Sequence, residues 1–328
     1  MKYIIIILMI TQLVISCGSS KPAPVVSRET PSTTGNAQSL IRITSDPVPE
    51  FYPKVSPDGK KLIFHVRDDS KNKTITSSSY IGSTDRFRKW SIMLINLGQP
   101  GRTPLVGEFT QTPSFFPDSK SILYSYMKPS KPIIAKSQVD GLSGINYVSA
   151  NSMGDFDCYP VISPDGKRIA FSTSFGEVSQ VCVMDVNGMN TTILTEGSRP
   201  SWSPNNKLVY YKAVGKYDQI FTYDLSTGQS TQLTQGEFNN TDPVFSTDGK
   251  FIAFSSTRDN ENEQIFAMRE DGSAVVQLTQ GSTRNGMPSF GPDYTLYFCS
   301  NAASGKKGSV DKLLWLNSDI WSIKPILH

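Results

Sequence analysis

The stretch Pro160-Val161-Ile162-Ser163-Pro164-Asp165-Gly166-Lys167-Arg168-Ile169-Ala170-Phe171-Ser172 reads as a short strand, a tight turn and a second short strand. Pro164 presets φ for the turn, Asp165 is placed to bond its own backbone, and Gly166 accepts positive φ. Ile162, Ile169 and Phe171 supply the apolar positions. One such hairpin is a weak signal, but the block recurs, anchored on Pro53, Pro113, Pro160, Pro200, Pro243 and Pro288, at spacings of 60, 47, 40, 43 and 45 residues. A period in the forties made of strand-like pieces is the signature of β-propeller blades.

Each unit continues beyond its hairpin. A third strand is expected at 91–95, 134–139, 180–186, 219–225, 264–269 and 319–323, mixing β-branched and aromatic residues with polar ones. A fourth ends in Leu194-Thr195, Leu233-Thr234 and Leu278-Thr279 in the clearest copies. The last unit has no fourth strand after Ile323, and the matching piece is Leu40-Ile41-Arg42-Ile43-Thr44 at the other end of the chain. Thr44 precedes Pro53 by nine residues, as Thr234 precedes Pro243 and Thr279 precedes Pro288. The expected fold is therefore all-β: a six-bladed β-propeller of four-stranded blades, closed by residues 40–44 as outer strand of the last blade. Closure of this kind protects a pairing edge at the seam.

The 328 residues divide into 1–16, 17–39 and 40–328. Six blades of about 40–50 residues occupy all of the last span. Residues 1–16 combine a basic start at Lys2 with an apolar run from Ile4 to Ile15, too short to span a bilayer, and read as a secretory signal. Residues 17–39, rich in Ser, Thr, Pro and Gly, read as a flexible tether. Lys and Arg number 32 against 29 Asp and Glu, with no basic block, so nothing points to nucleic acid. A monomer is expected.

Chemistry-bearing residues are sparse. The only histidines are His65, inside a strand, and the terminal His328. No nucleophile–histidine–acid set assembles, so no catalytic residue, metal or cofactor is expected. Asp58, Asp118, Asp165, Asp248 and Asp293 recur in the turns, and Asn205 fills the same slot, which fits turn-capping better than acid chemistry. Cys158, Cys182 and Cys299 are expected to be free thiols. A bound ligand or partner would meet the mouth of the axial channel, where Tyr52, Gln111, Asp157, Tyr159, Arg199, Asp242 and Arg284 lead into the inner strands. Two insertions, 67–89 and 301–317, join second to third strands in neighbouring blades and leave from one face. They offer Trp90, Leu313, Leu314 and Trp315 as an apolar contact that covers the seam or takes a partner.

Two resemblances extend these readings. Leu13-Val14-Ile15-Ser16-Cys17-Gly18 is similar to the lipobox of bacterial lipoproteins. It implies cleavage before Cys17 and acylation of that cysteine by palmitate-type chains. Gly18, where an Asp would mark inner-membrane retention, implies the outer membrane. The block Pro160–Phe171, with Gln219-Ile220-Phe221, Gln264-Ile265-Phe266, Gln232-Leu233-Thr234 and Gln277-Leu278-Thr279, resembles the repeat of the TolB-like, WD-like β-propeller family over residues 40–328. TolB-type propellers bind a peptidoglycan-associated lipoprotein through the channel mouth. The resemblance thus implies a non-catalytic envelope scaffold or assembly factor for a protein or peptide, here without the N-terminal TolB domain. The alternatives are a propeller enzyme acting on envelope glycan or peptide, or a small-ligand-binding protein.

Overall fold

The computed structural model describes residues 30–45, 48–67, 90–107, 109–127, 132–140, 144–149, 154–259, 262–301 and 318–327. They form six four-stranded antiparallel sheets, each running outward from an inner strand on the axis. Those inner strands are Glu50–Val55, Thr110–Phe115, Cys158–Ile162, Ser198–Trp202, Asn240–Phe245 and Arg284–Phe290. Blade three adds Arg168–Phe175, Val178–Asp185 and Thr192–Glu196 in the order of the chain, and blades one to five follow that pattern. In blade six the outer strand is Ala37–Arg42, paired antiparallel with Ser318–Pro325.

Every blade is covered on both faces, so its second strand has no polar side. Ile169, Ala170 and Phe171 are consecutive and all fully buried. Ile169 and Phe171 pack towards blade two, with Phe116, Leu123 and Ile134. Ala170 packs towards blade four, with Trp202, Leu208 and Tyr210. The core is therefore six wedges, one between each pair of neighbours, and not a single centre. Small residues such as Ala170 and Ala253 let one face accept the large side chains of the next blade.

The turns interlock at one end of the ring, here termed the turn face. The fourth turn position has positive φ in all six blades: Gly59, Ser119, Gly166, Asn206, Gly249 and Tyr294. Glycine and non-glycine alternate, and each contacts the turn of the preceding blade. A Cβ on Gly249 would lie 2.9 Å from Pro204, and one on Gly59 would lie 3.1 Å from Pro292. Where a side chain is present, it forms an interblade hydrogen bond instead. Ser119 Oγ accepts from Asp58 N–H at 3.1 Å, Asn206 Oδ1 accepts from Arg168 at 2.5 Å, and Tyr294 donates to Asp248 at 2.5 Å. These bonds compensate the left-handed backbone that a non-glycine residue otherwise disfavours.

A second lock explains the Gln-Ile-Phe and Gln-Leu-Thr motifs. Thr279 Oγ1 accepts from Ile265 N–H at 2.9 Å and donates to Gln264 Oε1 at 2.9 Å. Asn285, from the next blade, donates to the same oxygen at 2.8 Å. Thr234, Gln219 and Asn240 repeat the arrangement one blade earlier, at 2.8 and 2.9 Å. At the seam Ile320 N–H donates to Thr44 Oγ1, which bonds Glu50.

The N-terminal segment is docked earlier than its composition predicts. Ser32 and Thr33 pair with Gln280 and Thr279 on the outer edge of blade five, and Thr34 donates to Gln277 O at 2.6 Å. The chain then crosses to blade six, where the closing strand spans 37–42 and not 40–44. Residues 32–39 thus bridge two blades and are not part of a free tether. The signal segment, Cys17, Leu313, Leu314 and Trp315 lie outside the described residues.

Candidate functional site: the axial channel

The residue before each anchoring proline carries the geometry of the channel. Tyr52, Thr112, Tyr159, Arg199, Asp242 and Met287 all have φ between 49° and 57°. That left-handed conformation is costly for a side-chain-bearing residue, about 1–3 kcal/mol each. It coincides in every blade with a register shift in the pairing of inner and second strands. The bulge breaks the pleat, and these six side chains all line one narrow axial cavity. The preceding blade supports several of them: Arg199 N–H donates to Ser172 Oγ at 2.8 Å, Met287 N–H to Ser255 Oγ at 3.2 Å, and Thr112 N–H to His65 Nδ1 at 3.1 Å.

The residues after the prolines form a second layer: Lys54, Ser114, Val161, Ser201, Val244 and Ser289. They floor a wider opening of about 330 Å³ at the turn face, walled by Val55, Phe115, Ile162, Trp202 and Phe245. Lys54, Val161 and Ser201 line both spaces, so the two meet at a waist. Beyond the waist the free space is only about 50 Å³.

Arg199 dominates the narrow end. It pairs with Asp242 and donates to Tyr159 Oη at 3.2 Å. Its guanidinium lies 4.8, 5.2 and 5.7 Å from the ring centres of Tyr159, Tyr52 and Tyr211, within cation–π range. A quarter of its side chain (24%) is accessible, against 8% for Asp242, and that surface opens onto the channel. Burial pushes the hydroxyls of Tyr52 well above and of Tyr211 up to about 12, so both stay neutral donors. Burial lowers the Lys54 ammonium, while Asp242 opposes the shift. Lys54 forms no ion pair or hydrogen bond among the described residues, and among them it is the only charged one lining the wide opening.

Of the residues expected at the mouth, Tyr52, Tyr159, Arg199 and Asp242 converge, and Gln111, Asp157 and Arg284 do not line the cavity. Asp157 is fully buried and accepts from Ser149 at 2.8 Å and Thr173 at 2.8 Å, the interblade lock of blades two and three. Arg284 bonds Glu263 through two nitrogens, at 2.8 and 3.2 Å. Gln111 is buried between strands one residue before the bulge. Thr112, Met287 and Lys54 were the residues missed. Counting one step back and one step forward from each anchoring proline would have found all three. Trp90 is half-buried: it stacks on Phe51 at 5.8 Å and lies tilted against His65 at 4.6 Å. His65 is fully buried, and its loss of hydration holds the imidazole well below its usual pKa, neutral with Nδ1 as acceptor. Cys158, Cys182 and Cys299 are free. Among the described residues no three His, Cys, Asp or Glu side chains cluster to hold a metal.

Fold and site define a closed six-bladed propeller with a two-layered axial channel. The fold is TolB-like. No family model matches the chain. An uncharacterized protein of Agrobacterium fabrum is 31% identical over 197 residues, 55% of this chain and 62% of its own. The Tol-Pal system protein TolB of Francisella tularensis subsp. mediasiatica is 25% identical over 112 residues, 32% of this chain and 26% of its own. The chain thus spans less than two thirds of the length of these relatives. The crystal structure of TolB from Acinetobacter baumannii superposes with a TM-score of 0.60 at 17% identity, over 82% of this chain and 64% of that one. An oligogalacturonate lyase from Vibrio parahaemolyticus shares the fold at 11% identity, with a TM-score of 0.54 over 90% of this chain and 97% of that one.

Proposed function

We propose that this chain is a non-catalytic binding protein of the bacterial envelope, which holds a segment of a partner protein or peptide in its axial channel. The opening at the turn face carries this reading. It is concave, about 330 Å³, and mostly apolar, with Lys54, Ser114, Ser201 and Ser289 at its floor and Thr247 on its rim. Such a cavity suits an extended apolar segment with a few fixed polar contacts. The relationship to proteins named for the Tol-Pal system supports an envelope setting, and the lipobox-like sequence supports acylation at Cys17 and outer-membrane anchoring.

A photo-crosslinking residue at Thr247, exposed on the rim, tests the reading in intact envelopes. Val178, exposed at the hairpin between the second and third strands of blade three, at the end of the blade away from its Pro-Asp-Gly turn, serves as the control position. One discrete protein adduct is expected from position 247 alone, lost with Val244→Glu. Identical adducts at both positions, or none at 247, would overturn it. Cys17→Ser is expected to move the protein out of the membrane fraction, and retention there would remove the anchor from the proposal.

A further inference from the structure

Lys54 marks the waist of the channel, and the charges there do not balance. Two cations, Lys54 and Arg199, face one carboxylate, Asp242, among the residues lining the narrow cavity. Asp242 forms its ion pair with Arg199 and acts on Lys54 only across space, so Lys54 is left without an ion pair or hydrogen bond of its own among the described residues. Taking an ammonium from water without a counter-charge is costly, and a hydrophobic residue of similar volume would remove that cost. The neighbouring positions of the same layer, Ser114, Val161, Ser201, Val244 and Ser289, are small or β-branched and uncharged. The lysine therefore projects into a ring that contributes no acceptor charge of its own.

Size and shape fix how an anion would arrive. The apolar opening of about 330 Å³ meets, past the waist marked by Lys54, a cavity of only about 50 Å³. A chain meeting this waist end-on delivers its terminus. A chain passing through would have to displace the Arg199–Asp242–tyrosine cluster that fills the far side.

We infer that the channel is a receptor for a C-terminal carboxylate: a peptide end enters from the turn face, seats its carboxylate on Lys54, and packs its last apolar side chains against Phe115, Trp202 and Phe245. This deepens the proposed function and rests on it. Arg199 supplies a second positive centre beyond the lysine, and the raised Tyr52 hydroxyl stays protonated as a neutral donor.

The test uses full-length protein and biotinylated pools of tetrapeptides randomised among Ala, Val, Leu and Phe. One pool ends in a free acid, one in an amide, and one in an amide with an internal Asp. Free acids are expected to bind about tenfold or more tightly than amides, as a charge-assisted contact implies. Lys54→Met is expected to abolish that preference while melting no lower than wild type, since it removes an unpaired charge. Equal binding of acid and amide, a preference that survives Lys54→Met, binding of no pool, or stronger binding of the internal-Asp pool each overturns the proposal. Success of the Thr247 crosslink with any of these outcomes would reject the carboxylate receptor alone. Failure of that crosslink would reject the binding reading beneath it.

Discussion

Asp242, only 8% exposed beside Arg199, loses the cation of its ion pair when Arg199 is removed. Breaking a buried pair from one side typically costs about 3–5 kcal/mol, and with so little solvent access Arg199→Met should fall in that range. The reverse change, Asp242→Leu, is expected to cost less, about 2 kcal/mol. Arg199 then keeps its hydrogen bond to Tyr159 at 3.2 Å and three ring faces, each contributing about 0.5–1 kcal/mol, and its accessible quarter meets channel water. The double variant Arg199→Met/Asp242→Leu replaces both charges by apolar groups and should return to within about 1 kcal/mol of wild type. Urea unfolding followed by tryptophan fluorescence gives all four stabilities, and the cycle isolates a coupling of about 3 kcal/mol or more. A double variant that loses the sum of the two single losses would refute the reasoning. The pair would then be supporting the fold through separate contacts, and the charge count at the waist would lose its meaning.

Three further outcomes follow from the locks that hold the ring. Gln264→Met strands Thr279, Asn285 and the Thr283 carbonyl, which Gln264 bonds at 2.9, 2.8 and 2.7 Å; a loss of about 3–5 kcal/mol, or roughly 10 °C in Tm, is expected by calorimetry, and a loss under about 1 kcal/mol would deny the lock. Gly249→Ala should cost about 2 kcal/mol, from left-handed backbone plus the 2.9 Å approach to Pro204, whereas Gly215→Ala, with nothing within 4 Å, should cost about half as much; equal urea midpoints for the two would rule out the rim contact. Burial raises the carboxyls of Asp248 and Asp293, but hydrogen bonds outweigh it and hold both at about 2, through Tyr294 for the first and Lys324 for the second. Folded values below unfolded ones mean that this stabilisation is present above about pH 4 and lost as pH falls towards 2, so Asp248→Asn should flatten that part of a pH–stability curve, and an unchanged acid limb would contradict it.

The blades were legible because each repeats a local rule. A proline-anchored strand, a Pro-Asp-Gly turn and a second strand need only short-range chemistry, and six copies reinforce one another. The closing strand was legible in kind, from the nine-residue step between Thr44 and Pro53, but its bounds were not. Ser32 and Thr33 are polar and lie in a Ser- and Thr-rich stretch that resembles a tether, and only the free edge of blade five gives them a partner. The same limit separates the site residues. Tyr52, Arg199 and Asp242 stood out by chemistry. Asp157 stood out equally, and is instead consumed by Ser149 and Thr173, because a carboxylate three residues before the proline points between blades while one residue before it points into the channel. The left-handed bulge makes that difference. The residue before a proline ordinarily avoids helical backbone, so nothing in the local sequence announces it.

The bulge also bears on function. All six blades adopt it, including those whose channel residue is the uncharged Thr112 or Met287. The conformation therefore belongs to the architecture, and the identities of the side chains it presents are free to differ from blade to blade. The second layer is nearly neutral in five blades and carries Lys54 in one. A ring that repeats its backbone sixfold but not its charges has a direction as well as an axis. Lys54, Arg199 and Asp242 sit on blades one, four and five, so a ligand on the axis meets an asymmetric field. An extended peptide with distinct side chains can be bound in one rotational setting by such a field, whereas a sixfold uniform channel could only measure its width.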